Sequence, residues 1–141
     1  MMLRIEAFKK EHLDQINLDY ELSDETKSTF MPNGQVTGVT LFDEDTILCF
    51  GGVHLLWKGV GECWIMLSNE GRLKPLTVAK YTIKLFDDIM SKDSLVRMQA
   101  SVSASDPKAI SFAKWLGFEV EGLMKKYGPD GNDYYRLARI R

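Results

Sequence analysis

The chain has 141 residues, 45% of them hydrophobic and 27% charged, which suits one globular domain able to bury roughly two-thirds of its unfolded surface without a structural metal or disulfide framework. Collagen-like, disordered and mini-protein classes are excluded. Eighteen Lys+Arg against 20 Asp+Glu leave a net charge of -2, so long-range attraction to phosphate backbones or anionic membranes is absent and nucleic acid is disfavoured as a main partner.

The opening Met-Met-Leu-Arg-Ile-Glu-Ala-Phe-Lys-Lys lacks the apolar run of a signal peptide, and no later window approaches a membrane span. A soluble cytoplasmic protein is expected. Cys49 and Cys63 stand in apolar runs without Cys-x-x-Cys spacing or a His cluster, the setting of buried reduced thiols and not of a metal site.

Leu3, Ile5 and Ala7 alternate with polar residues as in a half-buried strand. Leu13, Ile16 and Tyr20 recur at helical spacing and predict a helix over about Lys10 to Tyr20, followed by an irregular or short helical passage from Glu21 to Asn33. From Gly34 the pattern becomes strands: Val36 to Phe42, Ile47 to Trp57, and, after the turn residues Lys58-Gly59-Val60-Gly61, Glu62 to Ser68. In the last of these Glu62, Trp64, Met66 and Ser68 share one face, which puts an acid in an otherwise apolar strand.

Pro75 suits a first helical turn, and Leu76, Ala79, Ile83, Phe86 and Met90 carry the helix to about Ser91. A strand over Leu95 to Val102 comes next. Asp106-Pro107 then opens a second punctuated helix, with Asp106 as cap and Gly117 as the left-handed terminator. Phe118 to Leu123, the turn Gly128-Pro129-Asp130-Gly131 and Tyr134 to Ile140 complete the order. The class is α+β, with a mixed, mostly antiparallel central sheet of about seven strands and about four helices; the long helix is a crossover that permits a parallel pair of the fourth and fifth strands.

This order, with the segment Asp106-Pro-Lys-Ala-Ile-Ser-Phe-Ala-Lys-Trp-Leu-Gly-Phe118, resembles the GNAT acetyltransferase superfamily, whose penultimate helix reads N-x-x-A-x-x-F/L-Y-x-x-x-G-F. Ala109, Phe112, Gly117 and Phe118 fit it. The tail from Phe118 to Tyr135 is similar to the closing strands of small phage- and prophage-encoded GNAT-like proteins. The resemblance implies a GNAT-like fold spanning residues 1–141, with the fourth and fifth strands splayed apart, and transfer of an acetyl group from acetyl-CoA to a primary amine. Open peptide groups of Met66, Leu67 and Ser68 would take the pantetheine as a pseudo-strand.

The family's pyrophosphate loop, Q/R-x-x-G-x-G/A, falls on Arg72-Leu73-Lys74-Pro75-Leu76-Thr77. Arg72 matches and both glycines are replaced. Gly71, Arg72 and Lys74 beside the helix N-terminus are the anion candidates, and the resemblance adds Asp106, Ala109 and Phe112 to the cofactor side; no metal is expected. The family's tyrosine acid is replaced by Ala113. Tyr127, with Tyr134 and Tyr135, is either a substitute acid or a packing residue. Glu62 is either a general base or an ion-paired strand carboxylate; His54 is the second candidate base or a satisfied sheet histidine. Trp57 and Trp64 are pocket walls or core.

The alternative is a catalytically inactive GNAT-fold phage accessory or virion protein acting by protein binding, which the lost glycines and tyrosine favour. Lys125, Lys126, Arg136, Arg139 and Arg141 read as a solvated basic face. A homodimer through edge strands is compatible with the sequence.

Overall fold

A computed structural model describes residues 2–22 and 36–141. The seven strands are β1 (Leu3–Ala7), β2 (Val36–Asp43), β3 (Thr46–Trp57), β4 (Val60–Leu67), β5 (Arg97–Ser103), β6 (Glu119–Met124) and β7 (Tyr134–Ile140). The four described helices are α1 (His12–Gln15), α2 (Asn69–Arg72), α3 (Pro75–Lys92) and α4 (Pro107–Trp115). The strands form one mixed sheet in the order β1-β2-β3-β4-β5-β7-β6. Its β1/β2, β2/β3, β5/β7 and β6/β7 pairs are antiparallel, and β4/β5 is parallel. The fold is GNAT-like, as the resemblance implies.

Two compact units make up the backbone: residues 1–54 with 64–78, and residues 55–63 with 79–141. In the first, Phe8, Leu13, Phe42, Ile47 and Phe50 form a buried cluster, against which Ile16, Leu22, Trp64 and Met66 pack. The rings of Phe8 and Phe50 lie 5.0 Å apart and those of Phe8 and Trp64 5.2 Å, edge-on in the second case, the geometry aromatic quadrupoles prefer. Trp64 is therefore core, whereas Trp57 is 68% exposed.

The helix expected over Lys10 to Tyr20 shrinks to the single turn α1, because Ile16 leaves it in an extended conformation at ψ 134°. Beyond that turn the chain is held by tertiary bonds instead: the Asn69 N–H donates to the Asn17 carbonyl at 2.9 Å, and the Asn17 amide donates to Glu70 Oε1 at 2.7 Å. Helical periodicity yields to these long-range partners. The passage expected at Glu21 to Asn33 lies outside the described residues beyond Leu22.

α1 is pinned by a buried histidine. His12 Nδ1 accepts the Lys9 N–H at 3.1 Å and lies 2.7 Å from Thr40 Oγ1. Since Nδ1 accepts an amide proton it carries none, so the Thr40 hydroxyl donates and the ring is the Nε2–H tautomer. The rings of Phe8 and Phe42 stand edge-on to the imidazole at 6.0 and 5.3 Å. Burial in this apolar setting lowers the His12 pKa against an upward pull from Glu6 and Glu11, with Lys9 adding to the lowering.

α2 is clasped to β3. The fully buried Ser68 ends β4 and caps α2: its N–H and hydroxyl both donate to the Leu48 carbonyl, at 3.0 and 3.1 Å, while Ser68 Oγ accepts the Gly71 N–H at 3.0 Å. Gly71 crosses the strand so closely that a Cβ would overlap the Leu48 carbonyl oxygen.

In the second unit Phe86, Leu95, Met98, Leu116, Phe118 and Leu137 are buried, with the Phe86 and Phe118 rings edge-on at 6.0 Å. α3 buries Val78, Ala79, Thr82, Phe86, Ile89 and Met90, one face of a 3.6-residue period. Its first turn is more exposed than the apolar pattern suggests, with Leu76 at 67%. α4 begins and ends as expected. Asp106 accepts the Ala109 N–H at 3.1 Å, and Gly117 ends the helix at φ +100°, a left-handed conformation costly for any residue with a Cβ.

Two outcomes test this packing. Because the folded His12 pKa lies below the unfolded value near 6.5, the unfolded chain binds the proton more readily. The His12 contribution is thus complete above about pH 6.5 and lost as pH falls below it. Urea unfolding should show stability dropping between pH 7.5 and 5.5 in wild type, and the drop should shrink in His12→Gln. Separately, Gly71→Ala should cost about 3 kcal/mol, since backbone and not a mobile side chain must yield; a melting temperature within two degrees of wild type would contradict the clasp.

Candidate functional site

The expected cofactor residues of the first unit occupy the end of β4 and the entry to α3. The parallel ladder of β4 with β5 runs through Val60↔Arg97, Gly61↔Met98 and Glu62↔Gln99. Among the described residues that register stops there, and Met66 and Leu67 lie beyond it. Ser68 is more committed. Its N–H is taken by Leu48, while its carbonyl accepts the Arg72 N–H at 3.0 Å with one lone pair still open. Gly71 is committed likewise, because its N–H is spent on Ser68 Oγ and its missing Cβ serves the approach to β3.

At the entry to α3 the two cations diverge. Lys74 Nζ bonds Asp43 Oδ2 at 2.7 Å, and this contact holds the Asp43 carboxyl below the usual range. Arg72 is exposed and, among the described residues, makes no ion pair. The α3 N-terminus opens to solvent beside it, where Leu73 is 82% exposed. Pro75 contributes no N–H, so the donors of that first turn are the amides of Leu76 and Thr77. Arg72, those amides and the helix dipole can hold a polyphosphate, with fewer backbone donors than a glycine loop supplies.

In the second unit Asp106 is an N-cap that occupies the Ala109 N–H; Ala109 and Phe112 are half-buried on α4, and Ala113 is buried. Tyr127 lies just past β6, half exposed, its ring 5.7 Å from that of Tyr134. Glu62 faces an arginine: Arg136 Nη1 donates to Glu62 Oε1 at 2.9 Å, with the two side chains 21% and 33% exposed. The ion-paired reading of Glu62 therefore describes its resting state, with Arg136 bonded to Oε1. His54, on β3 of the first unit, is half-buried with its ring 6.4 Å from Trp64.

Both thiols are buried, and burial pushes Cys49 and Cys63 up to about 12, which removes them as nucleophiles. The C-terminal arginines are not a free basic face. Arg139 bonds Asp87 and the Leu116 carbonyl, and Arg141 bonds the Met90 carbonyl at 3.0 Å. No helix of the described residues is long and apolar enough to cross a membrane. Sequence reasoning does not single out Arg136 as the partner of Glu62. The signal for it is the period-two alternation of β7, which aligns it with Glu62 only once the strand order is known.

No protein-family model and no curated protein matches the sequence. Solved structures do match the fold. A chimera of the Vibrio cholerae spermidine N-acetyltransferase SpeG and hSSAT superposes with a TM-score of 0.76 at 14% identity, over 98% of this chain and 95% of that one. The ribosomal-protein-S18-alanine N-acetyltransferase of Escherichia coli gives 0.74 at 18% identity, over 99% and 94%. The chain thus has, end to end, the fold of N-acetyltransferases of the GNAT type.

Proposed function

We propose that the protein is an N-acetyltransferase that passes an acetyl group from acetyl-CoA to a primary amine by direct attack. The observation that carries this reading is the parallel β4/β5 ladder that ends at Glu62↔Gln99 after three pairs, in a fold shared with N-acetyltransferases over nearly the whole chain. A strand released from its neighbour offers an edge to which an extended amide-bearing chain can add. Met66 and Leu67 belong to that stretch of β4, and Arg72 with the α3 N-terminus supplies the charge for a diphosphate.

Bound acetyl-CoA supplies an activated thioester carbonyl. The acceptor nitrogen attacks it, forming the C–N bond as the C–S bond breaks and thiolate leaves. Glu62 takes the proton that the ammonium must lose, directly or through one water, using the oxygen not held by Arg136. Arg136 keeps that carboxylate oriented. Tyr127 is the phenol available to protonate the departing thiolate, since Ala113 cannot. Lys74 acts indirectly, by neutralising Asp43 beside the anion site.

Calorimetric titration with acetyl-CoA should give a dissociation constant below about 100 μM, a modest affinity for a loop with few backbone donors, and Arg72→Glu should abolish the heat. Absence of any heat with wild type removes the enzyme reading. Given a reactive acceptor, Glu62→Gln should lower kcat by roughly a hundredfold or more, with acetyl-CoA affinity unchanged; an undiminished kcat takes the base role from Glu62.

A further inference from the structure

β6 closes one end of the sheet, so one row of its peptide groups has no neighbouring strand among the described residues. Which way its side chains point follows from β7. Val120 pairs with Leu137 and Leu123 with Tyr135, while Glu119, Gly122 and Met124 pair with Ala138, Arg136 and Tyr134. Paired residues share a face and β7 alternates, so Val120 and Leu123 lie on one face and Glu119, Gly122 and Met124 on the other. Glu121 is the extra residue of a bulge. Its bonds to Arg97, which pairs with Ile140, put it on the second face as well.

The bulge makes the strand read the same from either end: second face, first, second, second, first, second. A bulge ordinarily protects an edge, because a regularly alternating strand cannot follow it. A second copy of β6 can, if it runs antiparallel about a two-fold axis that stands perpendicular to the sheet between Glu121 and Gly122. Only that register pairs all six residues. It opposes Glu119 to Met124, Val120 to Leu123 and Glu121 to Gly122, with like faces together throughout and no acid opposite an acid. Moving the axis onto Val120 opposes Glu119 to Glu121, and moving it onto Glu121 opposes that acid to itself, both destabilising.

Two further features fit this partner. Gly122 is not required by the single chain: its φ lies outside the left-handed region, and a Cβ there would meet nothing within 4 Å. In the pair it stands opposite the partner's Glu121, which Arg97 grips through bonds of 2.9 and 2.5 Å, and its missing side chain leaves room for them. The ends of the strand are complementary in charge. Glu119 begins β6 and Lys125 and Lys126 follow it, all exposed, so antiparallel pairing sets each copy's acid beside the other's lysines. From these we infer that the protein forms a two-fold dimer by antiparallel pairing of β6 with β6, joining the two sheets into one. Val120 and Leu123, 41% and 46% exposed in the single chain, then cover each other. The dimer does not depend on the acetyltransfer reading.

Sedimentation velocity of the wild-type chain from about 1 to 300 μM should show monomer giving way to dimer, as suits a small interface built on one strand pair. Gly122→Glu puts an acid opposite Glu121 on both sides of the axis and should weaken association about tenfold or more, while the melting temperature of the dilute monomer stays unchanged. Glu119→Lys should weaken it severalfold, and adding Lys125→Glu with Lys126→Glu should restore it. In a mixture of isotope-labelled and unlabelled chains, the Val120 methyls should show nuclear Overhauser contacts to the partner's Leu123 methyls. A chain that stays monomeric across the whole range overturns the inference. So does a dimer that Gly122→Glu leaves intact, or one in which those methyls make no contact. None of these outcomes touches acetyltransfer, because Arg72 and Glu62 take no part in the pairing.

Discussion

The carbonyl of Leu48 accepts two hydrogen bonds from one residue, the N–H and the hydroxyl of Ser68, and the backbone of Gly71 presses against the same oxygen. That junction sets where β4 stops, how α2 turns, and where Arg72 and Pro75 emerge. Its energetics are asymmetric. Each bond is worth only about 1 kcal/mol net, but a buried donor stripped of its partner costs about 1–3 kcal/mol, so the turn has little freedom to relax. The crossover through α3 begins from this fixed point, and such a long connection is what lets β5 run parallel to β4.

The same junction limits the candidate cofactor site. Amides that a glycine-rich loop would present to phosphate are, at Ser68 and Gly71, spent on holding the chain to β3. Lys74 is spent on Asp43. What remains for an anion is Arg72, two amides and a helix dipole, an arrangement driven by charge more than by backbone geometry. Fewer directed donors mean greater dependence on ionic strength, because the interaction of an exposed arginine with phosphate is screened by salt.

On the other unit, the bond between Arg136 and Glu62 joins β7 to β4 across β5. The resemblance puts Asp106 beside the cofactor, and its carboxylate is committed to the α4 cap.

Regular periodicity makes most of the fold legible. β2, β3, α3, α4 and β7 stand within a residue or two of their expected limits, because their apolar spacing, Pro75, Asp106-Pro107 and Gly117 are local instructions that need no partner. The four residues of α2 carry no periodic signal and escape a reading of the sequence. The apolar spacing overstates α1 because it continues past Ile16, where the bonds of Asn17 to Asn69 and Glu70 prevail. Site residues are legible as types and not as states. Glu62 is visible as an acid in an apolar strand, but its arginine lies 74 positions away. The sequence by itself determined the order and kind of elements, since these arise from near-neighbour sterics and burial. Only the tertiary structure decided which amides, cations and carboxylates remain available to a ligand, because hydrogen bonds and ion pairs are settled between residues that strand register brings together.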